Sequence, residues 1–202
     1  MTDASQRRRP DPDLLLVGTD FRCSPLELRE RVAYSPEATE ELLIHLLARP
    51  EVAEAYLLST CNRTEIYLLP RDDDAAYATA VQQVFATRSE EMTRPGRLYV
   101  KRNGEALHHL LAVASGLESM VVGEPEILGQ LRQAAALADA VGASGTVLQR
   151  LLRTAAHAGK RARNETGISQ GAVSLGYTVV ELAKNIFVEL ESSRVLLVGA
   201  GQ

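Results

Sequence analysis

Leu57-Leu58-Ser59-Thr60-Cys61-Asn62-Arg63-Thr64-Glu65-Ile66-Tyr67 is the stretch around which the rest of the chain is organised. An apolar run leads to a polar turn, and an alternating run leaves it, so residues 53–59 and 64–69 read as two strands joined at Cys61 and Asn62. A thiol at the end of a strand is held rigidly and faces a cleft. An arginine two residues away either stabilises a thiolate or grips a substrate carboxylate. A lone cysteine is commonly inert packing. Here, however, its neighbours Thr60, Asn62, Arg63 and Glu65 are all polar, which is poor company for a core cysteine.

Working outward, residues 14–17 form a short apolar run ending at Gly18, the first strand. Ser35-Pro36-Glu37 marks a helix start with proline at the first helical position. Leu42, Leu43, Leu46 and Leu47 then make an apolar stripe at helical spacing, and His45 in that helix reads as packing or surface. Asp72-Asp73-Asp74 opens another helix, where carboxylates suit the positive end of the dipole. Residues 97–101 give a fourth strand. The order strand, helix, strand, strand, helix, strand predicts an α+β fold of the ferredoxin-like split βαβ kind. From Asn103, a plausible N-cap, the pattern turns helical, with breaks at Gly123-Glu124-Pro125, Gly142-Ala143-Ser144-Gly145 and Thr166-Gly167. These readings divide the chain into a disordered tail over residues 1–13, a sheet plus appended helical subdomain over 14–165, and a final segment over 166–202 made of a connecting helix and one strand. That segment ends in Arg194-Val195-Leu196-Leu197-Val198-Gly199-Ala200-Gly201-Gln202, a buried strand and Gly-x-Gly turn of the sort that starts a Rossmann α/β domain.

Composition narrows the function classes. The chain has 202 residues, 46% hydrophobic and 24% charged, which is ordinary for a soluble globular protein. A net charge of -4 argues against sequence-blind nucleic-acid coating but leaves room for a local basic face. Arg150, Arg153, His157, Lys160 and Arg161 recur at steps that put them on one helix stripe; this is either a solvated face or a phosphate contact. Two cysteines, Cys23 and Cys61, are too few for a disulfide scaffold. Arg7-Arg8-Arg9 is followed by Pro10-Asp11-Pro12-Asp13 where a signal peptide needs an apolar segment, and no stretch has membrane-spanning length. A reducing cytoplasm and a free thiol are therefore expected. No Cys/His spacing suggests a metal, and no Ser/His/Asp triad is apparent.

A second long motif runs from His109 through Leu110-Leu111-Ala112-Val113-Ala114-Ser115-Gly116-Leu117-Glu118-Ser119-Met120-Val121-Val122 to Gly123-Glu124-Pro125-Glu126-Ile127-Leu128-Gly129-Gln130. With Ser-Thr-Cys-Asn-Arg-Thr-Glu it resembles the catalytic domain of the glutamyl-tRNA reductase family. The opening Val17-Gly18-Thr19-Asp20-Phe21-Arg22-Cys23-Ser24-Pro25-Leu26-Glu27-Leu28-Arg29-Glu30-Arg31 and the later Asn164-Glu165-Thr166-Gly167-Ile168-Ser169-Gln170-Gly171-Ala172-Val173-Ser174 are similar to that family too.

The resemblance carries residue-level expectations. It implies that Cys61 takes the glutamyl group from glutamyl-tRNA(Glu) as a thioester, which NADPH then reduces to glutamate-1-semialdehyde, the first step of five-carbon tetrapyrrole (porphyrin) synthesis. It implies that His109 supports that chemistry. Adjacent helical residues point about 100° apart, so His108 and His109 cannot both face one site. Arg63 is the expected clamp for the substrate carboxylate, with Thr60 and Asn62 either orienting substrate or forming the turn. Ser119, Glu124, Pro125 and Gln130 match positions lining the glutamate pocket. Glu126 departs from the family's usual glutamine, placing a carboxylate near an anionic substrate. Gly199, Ala200, Gly201 and Gln202 match the start of the NADPH site, and the chain reads as the N-terminal part of a longer protein. A homodimer, and contact with the downstream aminomutase, are the partners implied. Two other readings stand beside this one: a standalone acyl-transfer or thioesterase-like domain, and a non-catalytic module binding tRNA or a partner enzyme.

Overall fold

Four strands pair into one antiparallel sheet, and their sequence alternation decides which side chains share each face. In the computed structural model the described residues are 13–169, with residues 183, 186, 194 and 196 standing alone beyond them. The strands are β1 (Leu15–Asp20), β2 (Val52–Ser59), β3 (Arg63–Pro70) and β4 (Tyr99–Arg102), in spatial order β2-β3-β1-β4. Helices α1 (Leu26–Arg31) and α2 (Pro36–Leu47) lie between β1 and β2, and α3 (Asp73–Thr79) follows β3. Helices α4 (Asn103–Ala114), α5 (Glu126–Ala140) and α6 (Thr146–Glu165) complete an α+β domain.

Strand β3 lies inside the sheet and is buried from Arg63 to Leu69. Side chains alternate across a strand, so Thr64 and Ile66 face one way and Arg63, Glu65 and Tyr67 the other. On the first face Thr64 donates to the Val32 carbonyl (3.1 Å), and Tyr34 N–H donates to Ser59 Oγ (3.0 Å). On the second, Glu65 meets His109 of α4, and Tyr56 donates to the Leu131 carbonyl of α5 (3.3 Å).

The helix starts follow from local chemistry. Ser35 Oγ accepts from Ala38 N–H (3.2 Å) with Pro36 in the first turn, and Asp72 accepts from Ala75 N–H (3.1 Å). Helix α6 is capped from a distance: the Glu54 carboxylate of β2 accepts from Leu148 N–H (2.7 Å) and Val147 N–H (3.3 Å).

Two expectations need correcting. Asn103 is not a side-chain N-cap. It sits at φ 49°, a left-handed conformation that asparagine tolerates, and its Oδ1 accepts from Leu14 N–H (2.8 Å) while its own N–H donates to the Leu14 carbonyl (2.7 Å). It thus ties the start of α4 to the start of β1. The fourth strand begins at Tyr99, two residues later than expected, because Arg97 N–H closes a turn onto the Arg94 carbonyl (3.2 Å). The expected connecting helix and Rossmann strand, with Gly199, Ala200, Gly201 and Gln202, lie outside the described residues, as do residues 1–12 of the tail. Among the described residues no helix is long and apolar enough to cross a membrane.

Candidate active site

The turn that carries Cys61 is built by its neighbours. Thr60 N–H donates to the Arg63 carbonyl (2.8 Å), and Thr60 Oγ1 accepts from the N–H groups of Asn62 and Arg63 (3.2 Å each). The Thr60 hydroxyl is thereby engaged in shaping the turn. Phe21 N–H donates to the Asn62 carbonyl (3.0 Å), locking the turn to the end of β1. Arg29 of α1 clasps both sides, donating to the carbonyls of Cys61 (3.2 Å) and Ser24 (2.8 Å). The backbone is fixed while the Cys61 side chain stays exposed. Cys23 is half-buried instead. Burial, and then the Asp20 carboxylate, push its thiol upward.

Behind the turn lies a fully buried carboxylate, Glu65. Its Oε1 accepts from Arg63 Nη1 (2.7 Å) and Tyr99 OH (2.6 Å) and lies 2.8 Å from His109 Nε2; its Oε2 accepts from Tyr67 OH (2.7 Å). Burial alone would raise this group. The His109 contact and the Arg63 charge outweigh burial and hold it at about 2. The Tyr99 ring leans on the His109 ring at a centroid distance of 5.4 Å. Burial and the Glu65 charge push the phenols of Tyr67 and Tyr99 upward, so both remain hydrogen-bond donors.

Arg63 is 2% exposed, and its guanidinium is already engaged. One end meets Glu65 and the other the Glu118 carbonyl. Burial works against its charge, and Glu65 more than offsets that, leaving its pKa raised. Where the sequence suggested a free fork for a substrate carboxylate, the structure has Arg63 first as the cation that joins β3 to the loop after α4.

That loop, residues 115–125, is pinched at its base. Gly116 and Gly123 both take positive φ (77° and 82°), and Gly123 N–H donates to the Gly116 carbonyl (2.9 Å). A Cβ on Gly116 would sit 3.0 Å from Gly123 Cα, so the pinch requires glycine there. On the loop, the Glu118 carboxylate binds Arg22, whose guanidinium also binds the buried Asp20 (2.6 Å). Ser119 is buried, and its hydroxyl has no partner among the described residues. The carbonyls of Glu124 and Pro125 are held by Arg163 of α6 (2.7 and 2.9 Å). Glu126, at the start of α5, is exposed.

The expected site residues therefore fall into groups. Thr60, Cys61, Asn62 and Arg63 share one turn, and Arg63, His109 and the loop beside Ser119 meet around Glu65. His109 is buried while His108 is exposed, as their angular separation requires. Gln130 stands apart: it lines a cavity of about 530 Å³ with Ser59, Thr39 and Tyr34, whereas His109 and Glu118 line another of about 360 Å³. Glu65, Tyr99, Gly18, Arg22 and Arg163 were not singled out as site residues from the sequence. The available signal was the polar alternation Arg63, Glu65, Tyr67 on one face of an otherwise apolar strand.

Residues 17–166 match the model of the family described as glutamyl-tRNA(Glu) reductase, N-terminal domain. The chain belongs to the glutamyl-tRNA reductase family. It is 42% identical over 193 residues to the glutamyl-tRNA reductase of Syntrophotalea carbinolica, covering 94% of this chain and 43% of that protein. To the Aquifex aeolicus glutamyl-tRNA reductase it is 39% identical, covering 94% of this chain and 46% of the relative. The solved glutamyl-tRNA reductase of Methanopyrus kandleri superposes with a TM-score of 0.68 at 36% identity, over 87% of this chain and 40% of that one. The chain thus spans less than half the length of the glutamyl-tRNA reductases it matches.

Proposed function

We propose that this chain forms the part of a glutamyl-tRNA reductase that takes glutamate from glutamyl-tRNA onto Cys61. The observation that carries the reading is an exposed thiol on a turn fixed by Thr60, Phe21 and Arg29, two residues before Arg63, which belongs to the buried charged cluster around Glu65. The Cys61 thiolate attacks the ester carbonyl carbon. A C–S bond forms, the C–O bond to the terminal ribose breaks, and the departing ribose oxygen takes a proton. His109 is the proposed proton-handling group, held in place by its contact with Glu65. Arg63, held between Glu65 and the Glu118 carbonyl, and the buried Ser119 hydroxyl, which has no partner among the described residues, are the polar groups proposed to answer the substrate's carboxylate. Glu124 and Pro125, on the loop that carries Ser119, belong to the proposed glutamate pocket, while Gln130 lines the separate cavity beside Ser59. The exposed side chain of Glu126 can turn to solvent, away from the substrate's charge.

The strand order β2-β3-β1-β4 supports the ferredoxin-like reading of the sheet. The described residues contain no glycine-rich strand-to-helix turn of the kind that holds a dinucleotide. Gly199, Ala200, Gly201 and Gln202 would begin the site for NADPH, which would supply the hydride that reduces the acyl group to glutamate-1-semialdehyde in cytoplasmic tetrapyrrole synthesis.

Mixing the protein with glutamyl-tRNA and weighing it intact tests the proposal. The expected result is one glutamyl adduct on wild type and on Cys23→Ser, and no stable thioester on Cys61→Ser. Adduct on Cys61→Ser equal to wild type would remove Cys61 as the acceptor. Turnover to free glutamate at a high steady rate, with no adduct accumulating, would favour the thioesterase-like reading.

A further inference from the structure

Glu65 is an unusual partner for a histidine because everything else around it also donates. Arg63 Nη1, Tyr67 OH and Tyr99 OH all give hydrogens to its two oxygens. A guanidinium in a protein is always charged, and the carboxylate beside it is ionised, so Glu65 only accepts. A ring nitrogen 2.8 Å from such an oxygen must itself carry a hydrogen. Nε2 of His109 is therefore the N–H of the ring, and in the neutral imidazole the free lone pair belongs to Nδ1. No described residue makes a hydrogen bond to Nδ1, and His109 borders the cavity of about 360 Å³ beside Lys101, Glu105 and Glu118.

We propose that Glu65, braced by Tyr99 across Gly18, is the positioning residue that fixes the tautomer of His109, so that the proton exchanged during acyl transfer moves at Nδ1. Gly18 explains how the brace is possible. It pairs with Glu65 on one side of β1 and with Tyr99 on the other, so the Tyr99–Glu65 hydrogen bond bridges directly over it. A Cβ there would lie 2.8 Å from the Tyr99 ring and 3.0 Å from Glu65 Cγ, inside the contact limit of both. The backbone at this position is otherwise ordinary extended strand. Glycine is needed for space and has no conformational role here. The inference rests on the Cys61 reading for its chemistry, but the tautomer itself does not.

The test begins with wild type labelled with ¹⁵N-histidine, above the pH at which the ring charges. Long-range ¹H–¹⁵N correlations should show His109 as the Nε2–H form alone. An Nδ1–H form overturns the proposal outright. In Glu65→Gln, whose amide can either accept or donate, the preference should be lost and acylation by glutamyl-tRNA should fall about a hundredfold or more, the range lost with a misplaced proton acceptor. A Glu65→Gln protein that keeps both the tautomer and the rate also overturns it. Tyr99→Phe keeps the ring against His109 and removes only the brace, and should slow acylation about tenfold, the cost of one hydrogen bond to a charged group. An unchanged rate in that variant strikes Tyr99 from the proposal. Adduct formation on Cys61→Ser would instead defeat the acyl-transfer reading and leave the tautomer result to be judged separately.

Discussion

Cys61 and Glu65 stand four residues apart on one strand–turn unit, and their surroundings differ at almost every level. Cys61 is exposed, and its turn is held through its backbone atoms, by one threonine hydroxyl and by the Arg29 guanidinium on the Cys61 carbonyl. Glu65 is wholly buried and held by four side chains from β3, β4 and α4. A nucleophile has to be reachable, so its rigidity must come from the backbone. A positioning carboxylate has to be shielded, so its charge must be answered on all sides. The comparison teaches that side-chain changes at the turn should cost chemistry, while changes at the cluster should cost stability as well.

The largest effect should come from Glu65→Leu, which leaves the Arg63 charge buried without its partner. We expect a loss of about 3–5 kcal/mol in denaturant unfolding, the usual cost of breaking a buried pair from one side. Cys61→Ser should stay within about 0.5 kcal/mol of wild type, as exposed substitutions usually do. Equal losses in the two would erase the distinction. Acid should expose the same asymmetry. The Glu65 carboxylate titrates at about 2 when folded, against an ordinary 4.5. Its stabilisation is complete above pH 4.5 and is lost as the pH falls toward 2, a change of about 3 kcal/mol. Denaturant midpoints stepped through that window should fall for wild type and fall less for Glu65→Gln. Parallel curves would place the acid-sensitive group elsewhere.

Gly18→Ala sharpens the comparison from inside the sheet. Overpacking of this kind costs about 1–3 kcal/mol, and acylation should drop along with it because the Tyr99 brace is forced away. A variant of full stability and full rate would mean that the strand opens without cost. Smallest is Glu54→Ala, which removes the carboxylate capping α6 far from the thiol. It should lose about 1 kcal/mol, typical of a helix cap, with acylation unchanged.

How much of this was legible in the sequence follows the same divide. The strands, the proline-started α2, the aspartate-capped α3 and the Cys61 turn are local patterns, so reading along the chain finds them. Arg63 was legible as a functional cation, but its partners were not. Tyr99 and His109 reach Glu65 across 34 and 44 residues of chain, and only the register of β1 between β3 and β4 brings them together. Gly18 looked like a strand terminator because nothing in its neighbourhood mentions the two side chains it separates. Asn103 looked like a cap because a helix follows it. Its hydrogen bonds to Leu14 cross 89 residues of chain.

The central claim is that the reactive group is the exposed thiol on the turn, carried by a frame that does not depend on it. Limited iodoacetamide treatment of the folded protein, followed by peptide mapping and residual acylation by glutamyl-tRNA, tests this most directly. The account predicts that Cys61 is modified first, that acylation disappears in proportion to that modification, and that unfolding stability does not change. Cys23 should react slowly, since it is half-buried and its thiol is pushed upward. Acylation surviving complete modification of Cys61, or vanishing in step with Cys23, would contradict the account.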